Sequence, residues 1–197
     1  MKIFEEKSKE SLFFYAKERY LWEHTRKNEI NSSITIPLGI LIFQITSFSY
    51  FLLNFPSKRL SVYFFVFIIL LCLSIISLAL SVIFFLKHQI GYKYGNIQSP
   101  KDIENYFKKY IAAYIDINEQ VDYHYIYNEL KEMELSEYIE ATERNISNNE
   151  TKIKFYRHFI ITVIISTVLL LLTLISSLFL EYNMQLIRVI IENPFME

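Results

Sequence analysis

The side chains best suited to chemistry lie in an uncharged run, Phe159 to Leu180 (FIITVIISTVLLLLTLISSLFL). Thr162, Ser166, Thr173 and Ser177 recur there at spacings of four, seven and four. On a helix turning about 100° per residue these positions share one narrow stripe. If several copies met around an axis, such hydroxyls would line a narrow, weakly polar path for ions, with Leu169 as an apolar constriction. Arg157 and His158 would ring one mouth and Glu181 the other. The same stripe also suits plain packing of one helix on another. Gln44, in an earlier apolar run, competes for the lining, because an amide facing lipid is costly and must turn to another helix or a wet cavity.

A second group of residues could hold an anion. Tyr106, Tyr110 and Tyr114 follow an i, i+4, i+8 pattern interleaved with Lys101, Lys108 and Lys109, and Lys93 lies just upstream. Tyrosine rings stack on bases and ammonium groups neutralise phosphates. Lys93, Lys101, Lys108, Lys109, Tyr106 and Tyr110 are therefore the candidate contacts for a nucleotide or short oligonucleotide. The competing reading is a bundle core with hydroxyls at its rim and lysines that meet lipid headgroups. Asp116, Glu119, Asp122 and His124 are close in sequence, but solvated acids are ordinary at a turn between helices, so no metal or cofactor is expected. There is no HExxH, no cysteine pair and no serine in a nucleophile elbow, and three glycines cannot build a phosphate loop. An enzyme is not expected.

The elements that position these residues follow from hydropathy. Apolar side chains make up 52% of the 197 residues and are concentrated in blocks, the pattern of an integral membrane protein. The first predicted span covers residues 34–54, with Asn31, Ser32 and Ser33 as its N-cap. The second covers 60–86, with Ser74, Ser77 and Ser81 on one face, a sign of close helix contact or bonds back to the helix backbone. The third covers 159–180, and its 22 residues suffice to cross about 30 Å of hydrocarbon. Cys72, inside the second span, reads as a small packing residue.

Residues 1–33 mix both signs of charge, unlike the basic start of a secretory leader, and read as an amphipathic helix with Tyr20, Trp22 and His24 approaching the interface and a Glu23–Lys27 pair along it. Residues 87–158 read as a helical insert: a turn at Gly91 and Gly95, a helix started by Ser99-Pro100-Lys101-Asp102, a second helix from about Val121 to Asn145, a break at Asn145–Asn149, and a last helix capped by Thr151. Residues 181–197 are expected to form an external interfacial tail, with Glu181 ending the third span.

Charge sets the expected orientation. Residues 1–33 and 87–158 hold seventeen of the twenty lysines and arginines; only Lys58, Arg59 and Arg188 lie elsewhere. Basic flanks mark the cytoplasmic side and favour anionic lipid, so the N-terminus and insert are expected inside and the C-terminus outside. Abundant Ile, Lys, Asn, Tyr and Phe hint at a bacterial source, hence an inner membrane.

A charged N-terminal helix (RYLWEHTRKNEI), two closely spaced spans, a small helical insert and a further span resemble the small membrane effectors of bacterial anti-phage defence, including the SLATT-type effectors and the channel effector of the Hailong system. The resemblance covers most of the chain and is architectural. It implies an oligomeric membrane pore, toxic when open, controlled by a nucleotide or short oligonucleotide from a neighbouring partner enzyme. The expectation is thus an all-α, three-span homo-oligomer in a lipid bilayer, with a non-conducting adaptor for a cytoplasmic protein as the alternative.

Overall fold

The computed structural model describes the backbone of residues 2–53, 62–117 and 123–192, and side chains over 7–53, 62–99, 101–113, 123–180 and 182. Among these, every regular element is an α-helix: α1 (Lys2–Ser32), α2 (Thr35–Leu53), α3 (Val62–Gln89), α4 (Pro100–Ile117) and α5 (Tyr123–Glu192). Three stretches are long and apolar enough to cross a membrane: one ending in α2, α3, and one within α5. The chain divides into two compact units, Met1–Asn31 with Gly91–Thr151, and Ser32–Ile90 with Lys152–Glu197.

In the first, polar unit, α1 and α5 run parallel. Lys9 pairs with Glu132, Phe13 packs edge-on against Tyr138, and Glu23 meets Asn149, so residue numbers rise together along both helices. Buried positions on α5 here are Tyr138, Ala141, Thr142, Asn145 and Asn149, facing Ala16, Tyr20 and Glu23 of α1. The spacings of three and four are those of a coiled-coil seam. Phe13, Tyr20 and Tyr138 form its aromatic layer, with ring centroids 5.6 and 5.7 Å apart.

The expected break at Asn145–Asn149 does not occur. The helix continues because a neighbouring segment, not the local backbone, uses the asparagine amides. Asn145 Oδ1 accepts from the Gly95 N–H at 2.8 Å and its Nδ2 donates to the Gly95 carbonyl at 3.2 Å. Asn148 Nδ2 donates to the Lys93 carbonyl at 2.8 Å. These bonds remove the competition that makes asparagine a helix breaker. Thr151 is likewise inside the helix, its hydroxyl donating to Ser147 O, and caps nothing. The start of α4 follows the sequence reading: the Asp102 N–H donates to Ser99 Oγ at 3.2 Å, and Pro100 is the first helical residue.

In the second, apolar unit, α2 runs parallel to α5 and α3 antiparallel. Phe48, Phe51, Phe67, Leu71, Leu170 and Leu180 form one cluster, and Ile34, Leu41, Phe159 and Val163 another. Most outward positions, among them Phe43, Ile69, Ile164 and Leu171, are exposed apolar side chains, and the outward Thr46 and Ser49 bond back to their own helix, a surface compatible with a membrane. Three expectations are corrected here. α1 continues through Asn31 and Ser32, so these two lie at the end of one helix and not at the start of the next; Thr35 Oγ1 donates back to Ser32 O. Cys72 is exposed, because the contact stripe of α3 passes through Leu71 and Ser74. Glu181 does not end its helix, since α5 continues to Glu192.

Gly95 is where the polar unit tolerates no side chain: an added Cβ would lie 2.6 Å from Ala141 Cα. Gly95→Val should cost roughly 1–3 kcal/mol by overpacking and lower the thermal midpoint followed by circular dichroism. Gly39→Ala, whose added carbon meets open space, should not.

Candidate functional site

The pore-lining candidates converge on one seam inside the apolar unit. Ser166 and Thr173 are fully buried, as are Ser74 and Ser81 of α3 and Gln44 of α2. Gln44 Nε2 donates to the Val163 carbonyl at 3.0 Å and to Thr167 Oγ1 at 2.6 Å. Ser77 Oγ donates to Thr162 O at 3.1 Å, and Ser166 Oγ lies 3.5 Å from Ser74 O. Thr173 and Ser81 bond back to Leu169 O and Ser77 O. Thr162, Leu169 and Ser177 are half-buried at the edges. The Ser/Thr stripe of α5 therefore faces α2 and α3 of its own chain. Two buried atoms of this unit, Gln44 Oε1 and His88 Nε2, have no hydrogen-bond partner among the described residues. His88 Nδ1 is held by the Lys152 carbonyl at 3.0 Å. His158 rests against the Phe84 ring, Arg157 is exposed, and the Glu181 side chain lies outside the described residues.

The anion-contact candidates are less concentrated. Tyr106 and Tyr110 stack on each other, with centroids 6.1 Å apart and planes 21° from parallel. Tyr110 bonds Tyr125, whose phenol is pushed up first by the Glu129 carboxylate and then by Tyr110. Lys101 and Lys108, seven residues apart, share the opposite face of α4 from Tyr110. Lys108 is paired with Glu104 at 2.6 Å, while Lys101, Lys109 and Lys93 are exposed. None of these six lines the open cleft of about 490 Å³ between α1 and the start of α5, whose walls include Lys9, Phe13, His124, Tyr127 and Lys131. Glu119, Asp122 and the Asp116 side chain lie outside the described residues; among the others no metal-binding cluster forms.

Sequence reasoning missed a buried charge. Glu23 was expected to pair with Lys27. Instead its carboxylate, wholly out of solvent, is gripped by Arg19 at 3.1 Å and Arg26 at 3.4 Å. Asn149 Nδ2 donates to it at 2.9 Å and to the Glu23 carbonyl at 3.0 Å, while Asn149 Oδ1 accepts from Tyr94 OH at 2.8 Å. Lys27 lies over the Tyr94 ring at 4.1 Å. Tyr20 packs into the aromatic layer and bonds His24, and Trp22 lies under both arginines, 4.2 and 5.2 Å from their guanidinium carbons. The missed signal was i, i+4 and i, i+3 spacing: Arg19 and Arg26 both reach Glu23 along one face. Burial, with Tyr92 and Glu23 nearby, pushes the Tyr94 phenol up to about 12.

Comparison with known proteins returns no matching family, no similar curated protein and no similar solved structure.

Two outcomes follow from the Glu23 network. Asn149→Leu leaves the buried carboxylate and the Tyr94 hydroxyl short of a partner. It should destabilise the protein by about 2–3 kcal/mol, read as a lowered thermal midpoint, whereas Asn148→Ala should cost less. The folded state also holds the Tyr94 proton above the ordinary tyrosine value. Its contribution is therefore full below pH 10 and should be lost as pH rises toward about 12, a loss followed by tyrosinate absorbance and absent in Tyr94→Phe.

Proposed function

We propose that this chain is a three-span bacterial inner-membrane protein that acts as a homo-oligomeric pore, in the manner of the small effectors of anti-phage defence. Its polar unit would be cytoplasmic and its C-terminus external. The observation that carries this reading is the seam. Gln44, Ser74, Ser81, Ser166 and Thr173 are wholly buried between helices whose outward positions are mostly apolar, and Gln44 Oε1 has no hydrogen-bond partner among the described residues. Polar groups at membrane depth are costly and tend to be kept where they meet helices or water. In the closed protein the hydroxyls donate to backbone carbonyls of their own or the facing helix, and the Gln44 amide donates to Val163 O and Thr167 Oγ1. Separating α5 from α2 and α3 would present them to water together, a two-state change. Tyr110 of α4 bonds Tyr125 of α5, and α5 contributes to both units as one helix, so a nucleotide or oligonucleotide held by Tyr106, Tyr110 and the nearby lysines would reach that change through the Tyr110–Tyr125 contact.

The second reading, a non-conducting adaptor, is favoured by the exposed acids of α5, among them Glu132, Glu140 and Glu143. Near-isosteric changes separate the two. Gln44→Leu with Ser166→Ala and Thr173→Val keeps the seam packed but removes its polarity. If the seam becomes the path, ion flux from protein-loaded liposomes and depolarisation of expressing cells should fall at least tenfold. Undiminished flux in the variant would sink the seam as the path, and no flux from the wild type in either assay would favour the adaptor. For topology, in a Cys72→Ser background, Lys93→Cys should react with a membrane-impermeant maleimide only after spheroplasts are permeabilised. Labelling of intact spheroplasts would reverse the orientation.

A further inference from the structure

α1 carries a second stripe beside the one it buries on α5. Leu12, Tyr15, Arg19, Trp22 and Arg26 recur at spacings of three, four, three and four. Tyr15 is 64% exposed and Trp22 47%, high values for rings on a helix that is already packed. The arginines are held in place: each grips Glu23 with one edge and covers Trp22 with its plane. Pre-positioned arginine and tryptophan lose little freedom on docking and are the residue types that dominate interfaces.

A complementary stripe lies on α5. Ser136, Ile139, Glu143, Ile146 and Glu150 have the same three, four, three, four spacing. All but the half-buried Ile146 are exposed. Each residue is 124 positions beyond its counterpart on α1. The stripes therefore match in register: Tyr15 with Ile139, Trp22 with Ile146, Arg19 with Glu143 and Arg26 with Glu150. Tyr15 and Trp22 meet isoleucines, both arginines meet carboxylates, and Leu12 meets the small Ser136.

The register identifies the occupant. Within one chain, α1 and α5 residues at the same height differ by 123 (Lys9 and Glu132) to 126 (Glu23 and Asn149). Copies related by rotation about an axis parallel to α1 and α5 keep these helices parallel and at equal height. A difference of 124 is what such a rotation requires, and an unrelated partner would have no reason to match it. We infer that the Leu12–Arg26 stripe of α1 docks on the Ser136–Glu150 stripe of α5 in a second copy of this chain, side by side in the membrane. This deepens the homo-oligomer reading proposed above and rests on it.

Disulfide trapping tests it with the full chain in native membranes. Two differently tagged copies, both Cys72→Ser, are co-expressed, one with Tyr15→Cys and the other with Ile139→Cys, and the membranes are oxidised. A mixed disulfide is expected. Tyr15→Cys against Glu150→Cys, eleven residues out of register, should give none. Glu143→Arg with Glu150→Arg should raise the concentration needed for association in detergent at least tenfold by light scattering, since it sets four like charges together. No mixed disulfide at the matched pair, equal trapping at both pairs, or unchanged association of the charge-reversed chain would overturn the contact. So would a wild type that stays monomeric at all concentrations, including one whose stripe is covered by another protein. Ion flux measured on the same preparations separates the two proposals. Trapping without flux removes the pore and leaves the contact, whereas flux without trapping removes the contact and leaves the pore.

Discussion

The constraint on which the structure depends is that α5 has to be covered along one stripe. A helix of 70 residues gains little from intrinsic propensity and is held by what packs against it. In each unit α5 offers its neighbours buried residues three, four or seven apart: Tyr138, Thr142, Asn145 and Asn149 in the polar unit, and Phe159, Val163, Ser166, Leu170 and Thr173 in the apolar one. Two rows of side chains with that spacing can interdigitate continuously, which is the geometry of coiled-coil packing. What fills the stripe differs between the units.

In the polar unit the stripe includes a carboxylate and two amides. Taking Glu23 out of water is tolerable only because two guanidinium groups and an amide replace its hydration. The arrangement is directional, since Asn149 reads both the backbone and the side chain of Glu23. Sliding α1 by one turn would strand the charge, and this fixes the register of the pair much as a buried asparagine does in a coiled coil. In the apolar unit small hydroxyls alternate along the stripe with Phe159, Val163 and Leu170. They bond to carbonyls of their own or the facing helix and let backbones approach closely, while larger apolar side chains face outward.

The seam and the docking stripes have one logic. Both place polar groups where a second helix, and not solvent, completes them. For the seam that helix is in the same chain. For Arg19, Trp22 and Arg26 it is proposed to be in another copy. In the proposed membrane setting both arrangements would be economical, because a bilayer would align copies and limit the sliding and tilting that weaken a short helical contact in solution.

Helix content, the three apolar stretches and the start of α4 were readable from sequence alone, because they depend on local properties: run length, charge absence and the Ser-Pro-x-Asp cap. The 124-residue match between the two exposed stripes was also written there, but without a reason to align them. Tertiary structure alone decided the rest. Asn145–Asn149 looked like a break and is helical, because residues 93–95 take up the amides. Glu23 looked like a surface acid and is buried, because Asn149, over a hundred residues away, completes its shell. The Ser/Thr stripe of 159–180 had two readings, lining or packing, that no local property distinguishes. Its neighbours in this chain are the hydroxyls of α3 and the amide of α2, since a hydroxyl's role depends on which distant helix arrives beside it.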